Sequence, residues 1–164
     1  MRPGRASSNG RSDIVAMIKF SGPVWRLLPT ALVATPSVPA RASEGRFHHS
    51  GQVAAYASLT AEGAGVAIRR YLSDGVARVL VPMWLEADPV ADARGDPAAS
   101  VVWQNTRAAG VPAPTWKFSD SARRAGAQAM LYSSRSRPEL SHVVVFEPDA
   151  LAFVGPVSDF DPRL

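Results

Sequence analysis

The chain has no cysteine, which excludes disulfide frameworks, thiolate zinc sites and cysteine nucleophiles together. Lysine is nearly absent: the 18 cations are 16 arginines plus Lys19 and Lys117. No stretch approaches the roughly 20 apolar residues that a membrane-spanning helix needs. The apolar stretch 27–40 follows basic residues but is broken by Pro29, Pro36 and Pro39, so it makes a poor secretion signal and a cytoplasmic location is expected. There is no GxxxxGK[ST] phosphate loop, no HExxH and no GxSxG elbow. Gly63-Ala64-Gly65 imitates the start of a dinucleotide fingerprint, but the third glycine is missing and the pair falls inside a predicted helix.

What is there is a globular composition. The 164 residues are 46% hydrophobic and 20% charged, enough for one self-sufficient domain. The net charge of +4 is unevenly placed. Residues 1–26 hold five cations and one anion, whereas residues 27–164 hold 13 of each. A balanced body argues against a nucleic-acid or membrane-surface partner. Residues 1–16 are rich in Gly, Ser and Arg and have no apolar period. Residues 1–20 are therefore expected as a flexible N-terminal tail and residues 21–164 as the folded domain.

Within that domain, apolar runs predict strands at Val24–Leu28, Gln52–Ser58, Ala77–Leu85, Ala129–Tyr132, His142–Phe146 and Leu151–Val154. Pro82 suggests an edge or a bulge in the third of these. Thr60 reads as the N-cap of a helix to about Leu72, with Ala64, Ala67, Ile68 and Leu72 on one face. Residues 33–44 and 88–97 read as loops. A helix is expected over Ala98–Ala109, closed by Gly110, and a short one capped by Ser119 or Asp120 runs through Ala125. Helices intermixed with short strands give an α+β, or mixed α/β, domain on one central sheet.

The polar residues that stand out lie on or beside apolar segments. Arg26 sits inside Val24-Trp25-Arg26-Leu27-Leu28, where burial is costly without an anion or a carboxylate partner. Arg46 lies in Gly45-Arg46-Phe47-His48-His49-Ser50-Gly51, whose glycines allow a ligand or another chain to approach closely. Tyr56 follows ten residues later, and Ser133, Ser134 and Arg135 end the strand at Tyr132. His48 and His49 are neighbours on an extended segment and point to opposite sides, so no metal site is expected.

These segments resemble the RES-domain family, the toxins of RES–Xre type toxin–antitoxin pairs. The resemblance is carried by Trp25-Arg26, Gly45-Arg46-Phe47…Gly51, Ala55-Tyr56-Ala57-Ser58, the stretch 119–128, Leu131-Tyr132-Ser133-Ser134-Arg135 and Val144-Val145-Phe146-Glu147-Pro148, in the family's order from about residue 22 to 155. It implies a compact fold similar to the diphtheria-toxin-type ADP-ribosyltransferases, with NAD as substrate. It implies two partners, a cognate antitoxin and a protein acceptor, for which an enzyme of ribose-phosphate or nucleotide metabolism is a family-type candidate. By the resemblance, the catalytic set is Arg46, Tyr56 and Ser134, and the NAD-binding set is Arg26, Arg46, His48, Tyr56, Ser133 and Ser134. The family glutamate is the departure. Its position is Ala67, and Glu62 is the nearest carboxylate and the expected fourth catalytic residue. Arginine forks suit a pyrophosphate, an aromatic ring suits nicotinamide or its ribose, and a hydroxyl suits a carboxamide or ribose hydroxyl. Three activities are compatible: transfer of ADP-ribose to a protein with growth arrest, NAD hydrolysis or phosphorolysis without a protein target, and NAD binding without catalysis.

Overall fold

The computed structural model describes residues 15–161, and only the backbone of Arg70 and Tyr71 within them. Most of the expected tail, residues 1–14, lies outside the described residues. In chain order come β1 (Ala16–Pro29), β2 (Ala55–Ser58), α1 (Ala61–Ile68), β3 (Arg78–Asp92), α2 (Gln104–Ala108), α3 (Trp116–Arg124), β4 (Ala129–Ser133), β5 (Ser141–Val145), β6 (Leu151–Phe153) and β7 (Ser158–Asp159). The expected mixture of helices and short strands is corrected to a strand-rich mixed sheet with few helices. Its two principal strands, β1 and β3, have 14 and 15 residues.

Those two strands pair antiparallel along nearly their whole length, from Pro29↔Arg78 to Ala16↔Asp92. Residues 16–20, assigned to the tail from sequence, are therefore strand. The expected loop 88–97 begins only after Asp92. A register shift between Ile18 and Phe20 absorbs Asp88 and Pro89, and Gln128 holds that bulge from both sides: its side chain accepts from the Asp88 N–H and its own N–H donates to the Pro89 carbonyl. Pro82 pairs with Trp25 on one side, and its carbonyl turns to Val154 on the other. Its missing N–H thus falls in the gap between β6 and β7, where no ladder bond is lost.

The pairings β1–β2, β2–β5, β5–β4, β4–β3 and β3–β1 form a closed circuit; only β3–β4 is parallel, and residues 93–128 make that crossover. Inside the circuit, period-two alternation buries Val24 and Leu28, Ala55 and Ala57, Val79, Val81, Met83 and Leu85, Leu131, Val143 and Val145. A second core forms on the opposite face of β2, β4 and β5. There Phe47, Phe118, Ala122, Met130, Tyr132, Val144 and Phe146 meet α3 and the loop ahead of β2. Phe47 is fully buried and meets the Tyr132 ring edge-on at 4.7 Å. Burying such a ring is worth about 2–3 kcal/mol.

The helices depart from their expected bounds for local reasons. Thr60 caps α1, its hydroxyl accepting from the Gly63 N–H at 2.9 Å, but the helix tightens into a 3₁₀ turn over Arg69–Asp74. Only Gly63 and Ala64 are buried in α1; Ala67 is exposed. A methyl on Gly63 would stand 3.2 Å from Ser58 Cβ, so this glycine serves close packing on β2. The expected helix 98–109 is a 3₁₀ turn at Pro97–Ser100 plus the short α2, closed by Gly110 at φ 77°. The last helix begins at Trp116, ahead of both expected caps, Ser119 and Asp120, and Ser119 is buried within it.

Candidate active site

The segment 45–52 is fixed mainly from α3. Gly45 N–H bonds the His48 carbonyl and closes a four-residue turn. The three successive carbonyls of Gly45, Arg46 and Phe47 receive the Trp116 indole N–H at 2.8 Å, the Thr115 hydroxyl, and Arg123 Nη1 at 2.9 Å. Arg123 also lies over the Phe146 ring at 4.2 Å. His49 stacks on Trp116 at 4.4 Å and bonds Asp120, partners that His48 does not share, although the segment is a turn and not the extended stretch expected.

This turn walls a cavity of about 690 Å³, of the size of small-molecule sites. Arg26, Arg46, His48, Tyr56, Ser133 and Ser134 all line it. The structure therefore brings together every expected site residue except Glu62. Register explains part of this. Tyr56 and Ser58 of β2 face Val144 and His142 of β5, and Tyr132 of β4 faces His142, so these side chains share one face of the sheet.

Arg46 is half-buried, and its Nη1 donates to the Val101 carbonyl at 2.7 Å. Arg26 is only 4% exposed and occupies an inward position of β1. Its Nε donates to the Tyr56 carbonyl at 3.0 Å, and its Nη1 to the Pro36 and Val38 carbonyls at 2.7 Å each. Burial lowers its pKa to about 10, which leaves it cationic at neutral pH. Among the described residues neither arginine has a carboxylate ion-pair partner.

The Tyr56 hydroxyl is committed to the scaffold. It accepts from the Phe47 N–H at 2.9 Å and lies 2.8 Å from His48 Nδ1. His48 Nε2 lies 2.8 Å from the Ala42 carbonyl, which can only accept, so Nε2 carries hydrogen. In the neutral ring, Nδ1 then accepts from Tyr56. Burial pushes the Tyr56 phenol well above its ordinary pKa, so it stays protonated, and its side chain is part of the cavity wall. Gly45 makes room for this pair: a methyl there would lie 2.3 Å from His48 Cε1.

The two serines separate clearly. Ser133 Oγ accepts from the Gly95 N–H and its carbonyl accepts from the Ser100 hydroxyl, which pins the 95–100 loop to the end of β4. Ser134 is buried at the cavity; its Oγ accepts the Arg137 N–H at 3.3 Å, leaving its hydroxyl hydrogen to donate. Among the further wall residues that sequence reasoning missed are Ser58 and His142, joined Oγ to Nδ1 at 2.7 Å. Burial first, and the charge of Arg46 second, lower the His142 pKa to about 4, so the imidazole is neutral. Alternation from Tyr56 could have flagged Ser58; nothing in the sequence pairs it with His142.

Glu62 stands apart. Its side chain is 62% exposed, pairs with Arg137 at 3.2 Å and does not line the cavity, whereas Ala67 does. Glu44 is the one carboxylate residue among the described residues on the wall. Arg69 and Arg135 also reach the lining, so four arginines face one carboxylate that is itself held by Arg107. Among the described residues the charge on the wall is net positive, which favours anionic groups, with the aromatic Tyr56 and neutral donors beside the cations.

Fold and cavity together define a small single-domain protein with a strand-rich mixed sheet and an arginine-lined ligand site. The RES domain family model matches residues 23–163, and the chain belongs to that family. Among solved structures, the chain is similar to one from the crystal structure of the M. tuberculosis MbcT–MbcA toxin–antitoxin complex. The TM-score is 0.65 at 16% sequence identity, covering 90% of this chain and 88% of that one, a likeness that carries the fold. No curated protein matches the chain.

Proposed function

We propose that the chain is the toxin of a toxin–antitoxin pair that cleaves NAD at the nicotinamide glycosidic bond and transfers ADP-ribose to a cellular protein in the cytoplasm. The observation that carries this reading is the pair of cavity arginines, Arg26 and Arg46, neither with a carboxylate partner among the described residues. A pyrophosphate supplies the anion they lack, and each charge-assisted hydrogen bond contributes roughly 1.5–3 kcal/mol. Arg46 has its remaining guanidinium donors for that contact; Arg26, three of whose bonds go to carbonyls, adds mainly field. Tyr56 offers its face to the nicotinamide or ribose, and Ser134 its hydroxyl hydrogen to the carboxamide or a ribose oxygen. The family membership and the fold shared with a chain of a toxin–antitoxin complex support a cognate antitoxin partner. The likeness to diphtheria-toxin-type ADP-ribosyltransferases is part of this reading and rests on the motif resemblance alone.

The test is incubation of the purified chain with adenine-labelled NAD and a cell lysate. Nicotinamide release with one labelled protein band is the expected result. Release without a labelled band would replace transfer by hydrolysis. Binding without release would leave a non-catalytic NAD-binding module.

A further inference from the structure

Glu44 immediately precedes the Gly45–His48 turn and is the one carboxylate residue on the cavity wall among the described residues. Arg107 of α2 holds it in a two-pronged contact, Nε to Oε2 and Nη2 to Oε1, both at 2.9 Å. Arg107 is itself fixed, with Nη1 on the Val111 carbonyl and its guanidinium 5.0 Å from the centre of the Trp116 ring. The Trp116 N–H bonds the Gly45 carbonyl, so the carboxylate, its holder and the Arg46 turn form one connected unit. A carboxylate oxygen accepts about two hydrogen bonds, and Arg107 uses one on each. One acceptor site per oxygen remains, and the side chain is 37% exposed.

We propose that Glu44 is the reaction-supporting carboxylate of this site, the counter-charge and hydrogen-bond acceptor for glycosidic cleavage; this rests on the reading of the cavity as an NAD-cleaving site. Breaking the nicotinamide C–N bond sends its electron pair to the ring nitrogen and leaves positive charge on the anomeric carbon. The attacking hydroxyl oxygen, from water or a protein side chain, forms the new C–O bond. Its proton passes along the hydrogen bond to the Glu44 carboxylate, which then releases it to solvent. A wall whose other charged residues are arginines disfavours that developing cation, and Glu44 supplies the opposing charge. The Arg107 guanidinium holds the Glu44 carboxyl below the usual carboxylate range, so it is ionised at neutral pH. Glu62 lacks such a position: it is turned outward to Arg137.

The experiment compares the full chain with Glu44→Gln and Glu44→Asp, reading nicotinamide release from NAD in the presence of the lysate, NAD binding by calorimetry, and thermal unfolding. Glu44→Gln keeps an oxygen for Arg107 and loses the charge. Expected is a fall in kcat of about a hundredfold or more with KM and melting nearly unchanged. Glu44→Asp, which retains the charge but retracts it, should fall between. A purely structural role would lower the melting temperature and leave kcat per folded molecule intact. If folded Glu44→Gln releases nicotinamide at the wild-type rate, Glu44 is not this group, and the NAD reading stands. If the wild type releases none, the NAD-cleavage reading fails first and takes this assignment with it.

Discussion

Replacing Gly45 with alanine tests whether the Arg46 turn is organised as the geometry indicates. The added methyl would stand 2.3 Å from His48 Cε1, 2.6 Å from His48 Nδ1 and 2.9 Å from the Tyr56 hydroxyl. All three distances are shorter than real non-bonded carbon contacts, so something must move. The His48 ring is not a free flexible end: Ala42 holds Nε2 and Tyr56 holds Nδ1, each at 2.8 Å. Moving it forfeits both hydrogen bonds, about 1 kcal/mol each, and overpacking adds about 1–3 kcal/mol. The expected destabilisation is about 3–5 kcal/mol, measured by urea unfolding with an unchanged slope. The same shift uncouples Tyr56 from the Phe47 N–H, so NAD binding should weaken as well. A double-mutant cycle makes the cause specific. His48→Ala removes the clashing ring, so adding Gly45→Ala to it should cost less than about 1 kcal/mol, a strongly non-additive pair. Full additivity, or a Gly45→Ala protein as stable as the wild type, would refute the close-approach argument.

Arg46→Ala should leave melting almost unchanged, since the side chain is half-buried with one internal hydrogen bond, and should weaken NAD binding about a hundredfold by calorimetry. Arg26→Met should act chiefly on stability, costing about 3 kcal/mol or more in urea unfolding because it orphans the Tyr56, Pro36 and Val38 carbonyls together. His142 gives a pH signature: its folded pKa of about 4 lies below the unfolded value of 6.5, so between these the unfolded chain binds the extra proton. Its contribution is complete above pH 6.5 and is lost as pH falls to 4, about 3 kcal/mol in all, and His142→Gln should flatten the stability curve in that window by that amount.

Much of the fold could be read from local pattern. The strands β4 and β5 are short apolar runs bounded by turn residues, and their bounds differ from expectation by a residue or so. The Thr60 cap and the closing Gly110 follow from side-chain chemistry within a few residues. Misreadings occur where a distant partner overrides a local signal. Asp88-Pro89 reads as a break, yet Gln128, some forty residues away, holds it as a bulge in a continuous strand. Ser100 falls in a predicted helix, but its hydroxyl goes to the Ser133 carbonyl, and the chain bends to make that bond.

The two glutamates show the same division at the site. An α-helix advances about 100° per residue, so position 62 lies about 140° around the axis from position 67. A carboxylate at 62 therefore cannot reach where a side chain at 67 points, and its nearness in sequence is misleading: Ala67 faces the cavity while Glu62 meets Arg137 outside it. Glu44 lies outside α1 altogether and comes to the wall because α3 captures the carbonyls of residues 45–47 and Arg107 captures the carboxylate. Those donors are 63 to 76 positions away in the chain. A residue-by-residue pattern can find the arginine turn, but only tertiary hydrogen bonding places the acid beside it.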